Sequence, residues 1–246
     1  MAKIVGYSCP RCRKNEGLLA LDGPNYLFFC STDSCMQDDE DYGKANASHE
    51  RRESEINSKK NEEFKQRDIL RNKFGSMFLD ASLSNSTLSS GDLQDVMNWI
   101  ESERDFFVYS GIPGCGKTFL SAAIYHWLLK KEVDVEYLHC KALYKELHRA
   151  IQNNMNNDDI IKKYQYKKFL LLDDIGSTQN TEWQKEVMLD LIDYRYEHQL
   201  PTMITTNFKY DDMRIYMGER LATRVFSKES LVLEDWENCH RRPGDY

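Results

Sequence analysis

Between Met36 and about Phe64 the chain is nearly free of apolar residues, and this polar bridge separates two patterned segments. Downstream, FFVYS (Phe106 to Ser110) reads as a buried strand of a parallel sheet. FLLL (Phe169 to Leu172) is an all-apolar strand, and PTMITTN (Pro201 to Asn207) is a further one. Between the first two, FLSAAIYHWLLKK places Leu120, Ala123, Ile124, Trp127 and Leu128 at helical spacing. A second helix is expected after Cys140, in KALYKELHRAIQ. Upstream, the residues around LLALDGPNYLFF predict a hairpin turning at Asp22-Gly23-Pro24-Asn25. The pattern predicts an α/β chain in three parts: a small module over 1–36, a charged bridge over 37–73 and a larger domain over 74–246.

From Asp38 to Glu63 the bridge carries nine acids against five bases. Its start is expected to be a flexible linker, and from about Ser48 the mixed charges predict a solvated helix. Ile56, Phe64, Ile69 and Leu70 are its few docking positions. Either a solvated tether or an arm lying along a partner fits this composition.

Composition narrows the setting. No stretch approaches a membrane span and the start lacks a secretory apolar region, so the expectation is a soluble, cytoplasmic protein without a membrane partner. The net charge of −7 argues against wholesale coating of nucleic acid, so any DNA contact needs a local basic patch or an assembly. Lys141, Tyr144, Lys145, His148 and Arg149 form one such stripe, as a DNA track or a solvated face, and Trp183 is a rival stacking group.

Four of the seven cysteines fall within the first 35 residues. Cys9 and Cys12 form a C-x-x-C pair, and Cys30 and Cys35 close the set after seventeen intervening residues. Two thiolates from one tight turn and two from a second can enclose Zn²⁺ tetrahedrally, leaving no open position for catalysis. A metal would also supply folding energy that so short a segment cannot gain by burial. Reduced thiols or a redox pair are the alternatives.

The decisive chemistry lies at Gly111 to Thr118, GIPGCGKT, which fits G-x-x-x-x-G-K-[ST] between a strand and a helix. Gly111, Pro113, Gly114, Cys115, Gly116, Lys117, Thr118 and Phe119 are the expected nucleotide contacts. The glycines let backbone N–H groups turn inward on the phosphates, Lys117 adds a cation, and Thr118 offers a hydroxyl to Mg²⁺. The helix dipole faces the same place. Hydrolysis also needs an acid near the metal and the attacking water. Asp173 and Asp174 follow FLLL at the strand's carboxyl end, where open α/β sheets bind ligands. Asp173 suits Mg²⁺ and Asp174 the water; a turn aspartate at a strand end is the bland alternative. Asn207, ending its strand, is placed to position the water or sense the γ-phosphate.

Together GIPGCGKT, LLLDDIGS, ITTN and GERLATRV resemble the AAA+ replicative helicase loaders of the DnaC/DnaI type, over about residues 74–242. The amino-terminal cysteine module is similar to that of the DnaI branch. The resemblance implies a P-loop AAA+ parallel sheet between helices and an ATPase using ATP and Mg²⁺. It also implies a DnaB-type hexameric helicase held through the zinc module, and single-stranded DNA as a further partner. Asn207 matches the family's first sensor. Arg224, with Arg220 one turn earlier, matches the arginine finger that enters a neighbouring subunit; a surface ion pair is the plain alternative. Asp174 stands where many AAA+ proteins carry Glu, which predicts slow hydrolysis. The second sensor falls on His240 or Arg241. The similar IstB-type transposition helpers, acting on duplex DNA, are the rival reading, and a nucleotide-switched adaptor with negligible turnover is a third.

Overall fold

A computed structural model describes residues 3–7, 17–22, 25–30, 39–103, 105–177 and 181–240, in two compact units, 1–65 and 66–246. In the first unit, β1 (Lys3–Tyr7), β2 (Gly17–Asp22) and β3 (Asn25–Cys30) form an antiparallel sheet in that order. Asp22 pairs with Asn25, so β2 and β3 pair as the expected hairpin. Cys9, Cys12 and Cys35 lie outside the described residues, as does the side chain of Cys30, and the zinc expectation lies there with them.

Helix α1 spans Asp39–Phe74, beginning well before Ser48. Three acidic residues open it, the charge sign that a helix N-terminus favours, so the stretch expected as a linker is helical. Of its four expected docking residues only Leu70 is buried, together with Phe74; Ile56, Phe64 and Ile69 are exposed.

The larger unit adds α2 (Ser90–Ser102), β4 (Phe106–Gly111), α3 (Lys117–Lys130), β5 (Val135–His139) and α4 (Cys140–Gln152). Then follow α5 (Asn157–Gln165), β6 (Phe169–Ile175), α6 (Glu182–Glu197), β7 (Thr202–Thr206), α7 (Tyr210–Met217), α8 (Glu219–Val225) and β8 (Leu231–Asp235). The five strands β4 to β8 form one parallel sheet in the order β5-β6-β7-β4-β8. Its interior strands β4, β6 and β7 are buried along their length except at Asp174, as continuous apolar runs require, whereas the edge strands β5 and β8 are buried only in part. Strand alternation divides the core between the two faces. Phe107, Tyr109, Phe169, Leu171 and Met203 pack with residues of α2 and α3. Phe106, Val108, Leu170, Leu172 and Ile204 pack with residues of α4, α6 and α8. Layers of helix, sheet and helix result.

Arg195 on α6 is fully buried and was not legible as structural from the sequence. Its Nη1 donates to the carbonyls of Tyr164, Gln165 and Lys167 at 2.8–3.0 Å. Its Nη2 donates to Pro201 O at 2.9 Å, and its Nε to Thr202 Oγ1 at 2.7 Å. Burial lowers its pKa to about 9, so it remains charged at neutral pH. One guanidinium thus ties the end of α5 to the entries of β6 and β7. Arg195→Leu would strand several buried carbonyls, and we expect a loss of at least about 3 kcal/mol in denaturant unfolding. Arg195→Lys, which keeps the charge without the planar fork, should fall between.

Candidate nucleotide site

The order of the sheet decides what meets at its carboxyl edge. β7 lies between β4 and β6, so the loop after β4 and the acids of β6 both face its Thr205 and Asn207. The loop 111–118 turns through Gly114 at φ 91° and Gly116 at φ 98°, values that disfavour side chains with a Cβ. Gly111 pairs with Asp235 of β8, and a Cβ there would fall 2.2 Å from Asp235 O. The Tyr109 hydroxyl donates to Cys115 O at 3.0 Å and braces the loop from beneath. Lys117 Nζ donates to the carbonyls of Gly111 and Ile112, both at 2.8 Å, and the side chain is buried. The ammonium therefore already sits in the loop's concavity. Cys115 is wholly buried, and the Phe119 ring packs on the core, so what these two offer a phosphate is their backbone N–H.

Asp173 is almost fully buried and accepts from three hydroxyls. Thr205 Oγ1 donates to Oδ1 at 2.6 Å, Tyr137 OH to Oδ2 at 2.8 Å and Thr118 Oγ1 to Oδ2 at 3.1 Å. The last contact brings together the two residues expected to hold Mg²⁺. A hydroxyl and a carboxylate converging from strand and helix are the hard oxygen donors that such an ion takes. Burial, and then the Asp173 charge, push the Tyr137 pKa well above the usual phenol value, which keeps it a donor.

Consecutive residues of a flat strand face opposite sides. The pairing of β6 with β7 shifts between Leu172 and Ile175, a bulge, and Asp174 takes φ 65° within it. Its N–H donates to Thr205 Oγ1 at 2.8 Å, the hydroxyl that in turn donates to Asp173. Asn207 Nδ2 donates to Asp174 Oδ1 at 3.2 Å, while Asn207 Oδ1 is buried without a hydrogen-bond partner among the described residues. An orphaned acceptor beside a carboxylate fits a water bridging the two. His139, at the end of β5, places Nε2 3.9 Å from Asp174 Oδ2; its Nδ1 accepts from Lys141 N, so the proton lies on Nε2. Tyr137 and His139 carried no sequence signal, and Thr205 only its place in ITTN, because their roles depend on strand order.

Arg224 and Arg220 on α8 do share one face, and both reach Asp193 of α6. They stand apart from the cluster around Asp173 within this chain. The segment after β8 lies on the loop: His240 N donates to Gly114 O at 2.9 Å, and Cys239 Sγ lies 3.6 Å from Pro113 O. His240 therefore approaches the loop, and Arg241 lies outside the described residues. The basic stripe on α4 needs correction. Tyr144 is buried and donates to Gln184 O, so it is a core residue and no stacking group. Lys141, Lys145, His148 and Arg149 are exposed, and His148 lies 4.6 Å ring to ring from Trp183. Among the described residues no three metal-ligating side chains gather, and no helix is long and apolar enough to cross a membrane.

Residues 81–228, more than half of the chain, match the family described as IstB-like ATP binding protein. The replicative helicase loader DnaC of Escherichia coli (strain K12) is 26% identical over 138 residues, 55% of this chain and 56% of that protein, so the chain spans little more than half of that relative. The replicative helicase loader DnaI of Bacillus subtilis (strain 168) is 26% identical over 214 residues, 76% of this chain and 67% of that protein. A crystal structure of the DnaC helicase loader superimposes with a TM-score of 0.56 at 24% identity, covering 64% of this chain and 99% of that one. The fold is that of the P-loop AAA+ domains.

Proposed function

The chain belongs to the family of IstB-like ATP binding proteins, and from that premise we propose that it is an ATP-driven loader of a replicative hexameric helicase. The observation that carries the ATPase half is the convergence of Thr118 and Asp173, 3.1 Å apart, beside Asp174 and Asn207. The helicase half is supported by the relatives named as loaders.

The glycine loop binds the β- and γ-phosphates through its N–H groups, and Lys117 exchanges its two carbonyl partners for phosphate oxygens. Thr118 and Asp173 hold Mg²⁺, which when bound neutralises charge on the phosphates. Asp174 and Asn207 Oδ1 both accept from the attacking water. As water attacks the γ-phosphorus, the bond to the β-phosphate oxygen breaks, ADP leaves and the water's proton passes toward Asp174. Asp174 has one methylene less than Glu and shares its Oδ1 with Asn207, so the basal rate is low and rises with helicase or DNA. Arg224 completes the site of a neighbouring subunit. Cys9, Cys12, Cys30 and Cys35 hold structural Zn²⁺, and that module grips the helicase while the assembly engages single-stranded DNA in the cytoplasm.

The transposition-helper reading is favoured by the family match itself, and it predicts preference for duplex DNA. Copurification with the hexameric helicase of its own host tests the leading reading. We expect capture by the full chain, lost in Cys9→Ser and on zinc chelation. Capture that survives both would remove the zinc module as the grip, and no capture by the full chain would remove the loader.

A further inference from the structure

Two arginines share one carboxylate, and they share it unequally. Arg220 Nη2 lies 2.6 Å from Asp193 Oδ2, so a terminal nitrogen of its fork is engaged. Arg224 reaches Asp193 Oδ1 only through Nε, at 3.3 Å. Among the described residues its two terminal nitrogens make no hydrogen bond. The reason is local: a carboxylate facing an arginine side-on ordinarily takes Nε and one terminal nitrogen together. Here the second oxygen is already held by Arg220. The Arg224 guanidinium also lies over the ring of Tyr196, 4.6 Å from its centroid. Tyr196 in turn packs edge-on against Phe106, the buried first residue of the strand that ends in the phosphate loop. Asp193 is mostly shielded, which makes the charge pairing firmer than that of a surface pair.

We propose that Asp193, Tyr196 and Arg220 are positioning residues that hold Arg224 by its Nε and ring face, leaving its terminal nitrogens directed to a phosphate of a neighbouring subunit. Arg224 is then the finger and Arg220 its strut. Holding a flexible cation by its base lowers the ordering cost of presenting it, as preorganisation at a reacting centre requires. This inference rests on the proposed role of Arg224 in trans.

A mixing experiment separates the two. Lys117→Ala chains cannot turn over ATP but can donate a finger; Arg224→Ala chains keep their own loop but donate none. Their mixture should recover turnover that neither shows alone. Asp193→Asn placed on the Lys117→Ala donor should cut that recovery about tenfold, the size of one misplaced charge-assisted contact. The same change on the Arg224→Ala acceptor should leave it unaltered. In the otherwise native chain, Asp193→Asn should lower kcat with KM for ATP unchanged, because the nucleotide is held by the other subunit's loop. Unchanged affinity for a fluorescent ATP analogue shows that the variant has folded. Undiminished recovery with the Asp193→Asn donor would make the carboxylate a plain surface partner. Increased recovery would make it a lock on Arg224, and either result overturns the proposal. If the parent mixture recovers nothing, the finger assignment itself fails and this inference falls with it.

Discussion

Asp173→Asn should reduce ATP turnover by about 10²–10³-fold, because the carboxylate would hold the cation that offsets charge on the reacting phosphates, and electrostatic stabilisation of that kind contributes on that scale. The substitution keeps shape while exchanging an acceptor for an NH₂ donor. Three hydroxyls, from Thr118, Tyr137 and Thr205, point at the carboxylate, and at least one must turn away from an amide. The disturbance also travels, since Thr205 Oγ1 accepts from Asp174 N. Loss of the metal-facing carboxylate and displacement of the water-facing one should therefore combine. Phosphate release with helicase and DNA present measures the outcome, with nucleotide binding followed in parallel. Turnover within a few-fold of the parent chain would mean that Asp173 is a turn aspartate of the strand end.

Arg224→Ala should lower turnover by about 10³-fold or more, the lower range for an arginine finger, while affinity for ATP stays close to that of the parent chain. Arg224 lies on α8 against Asp193 of α6, not in the hydrogen-bonded cluster around Asp173 of its own subunit. The effect should therefore appear only at concentrations where subunits associate. The control is Arg220→Ala, which removes the strut and should cost much less. Equal, small losses for both variants would return the pair to the surface.

The parts of the site that follow one another in the chain were legible in the sequence. GIPGCGKT is a local signal, readable because strand, loop and helix are contiguous. Asp173 and Asn207 were readable as ends of apolar or β-branched runs. What was not legible depends on packing. Tyr137 reaches Asp173 because β5 lies beside β6, and Thr205 does so because β7 adjoins the other side. Two adjacent aspartates serve one site only through the bulge at Leu172 to Ile175, which no turn residue within DD announced. No pattern in the sequence marks Arg195, yet it ties the end of α5 to the entries of β6 and β7. The bridge failed in a different way: its apolar residues are too sparse to fix a face, and of Ile56, Phe64, Ile69 and Leu70 only the last reaches the core.

If the chain is a loader, ATP in the loop should drive placement of a hexameric helicase on single-stranded DNA. The direct measurement uses closed circular single-stranded DNA, on which a ring cannot thread from an end, with an annealed, labelled oligonucleotide reporting unwinding by the helicase of the same host. Displacement of the oligonucleotide is expected only when this chain and ATP are both present, and none with Lys117→Ala. Equal displacement without the chain, or with Lys117→Ala in its place, would contradict the loader reading.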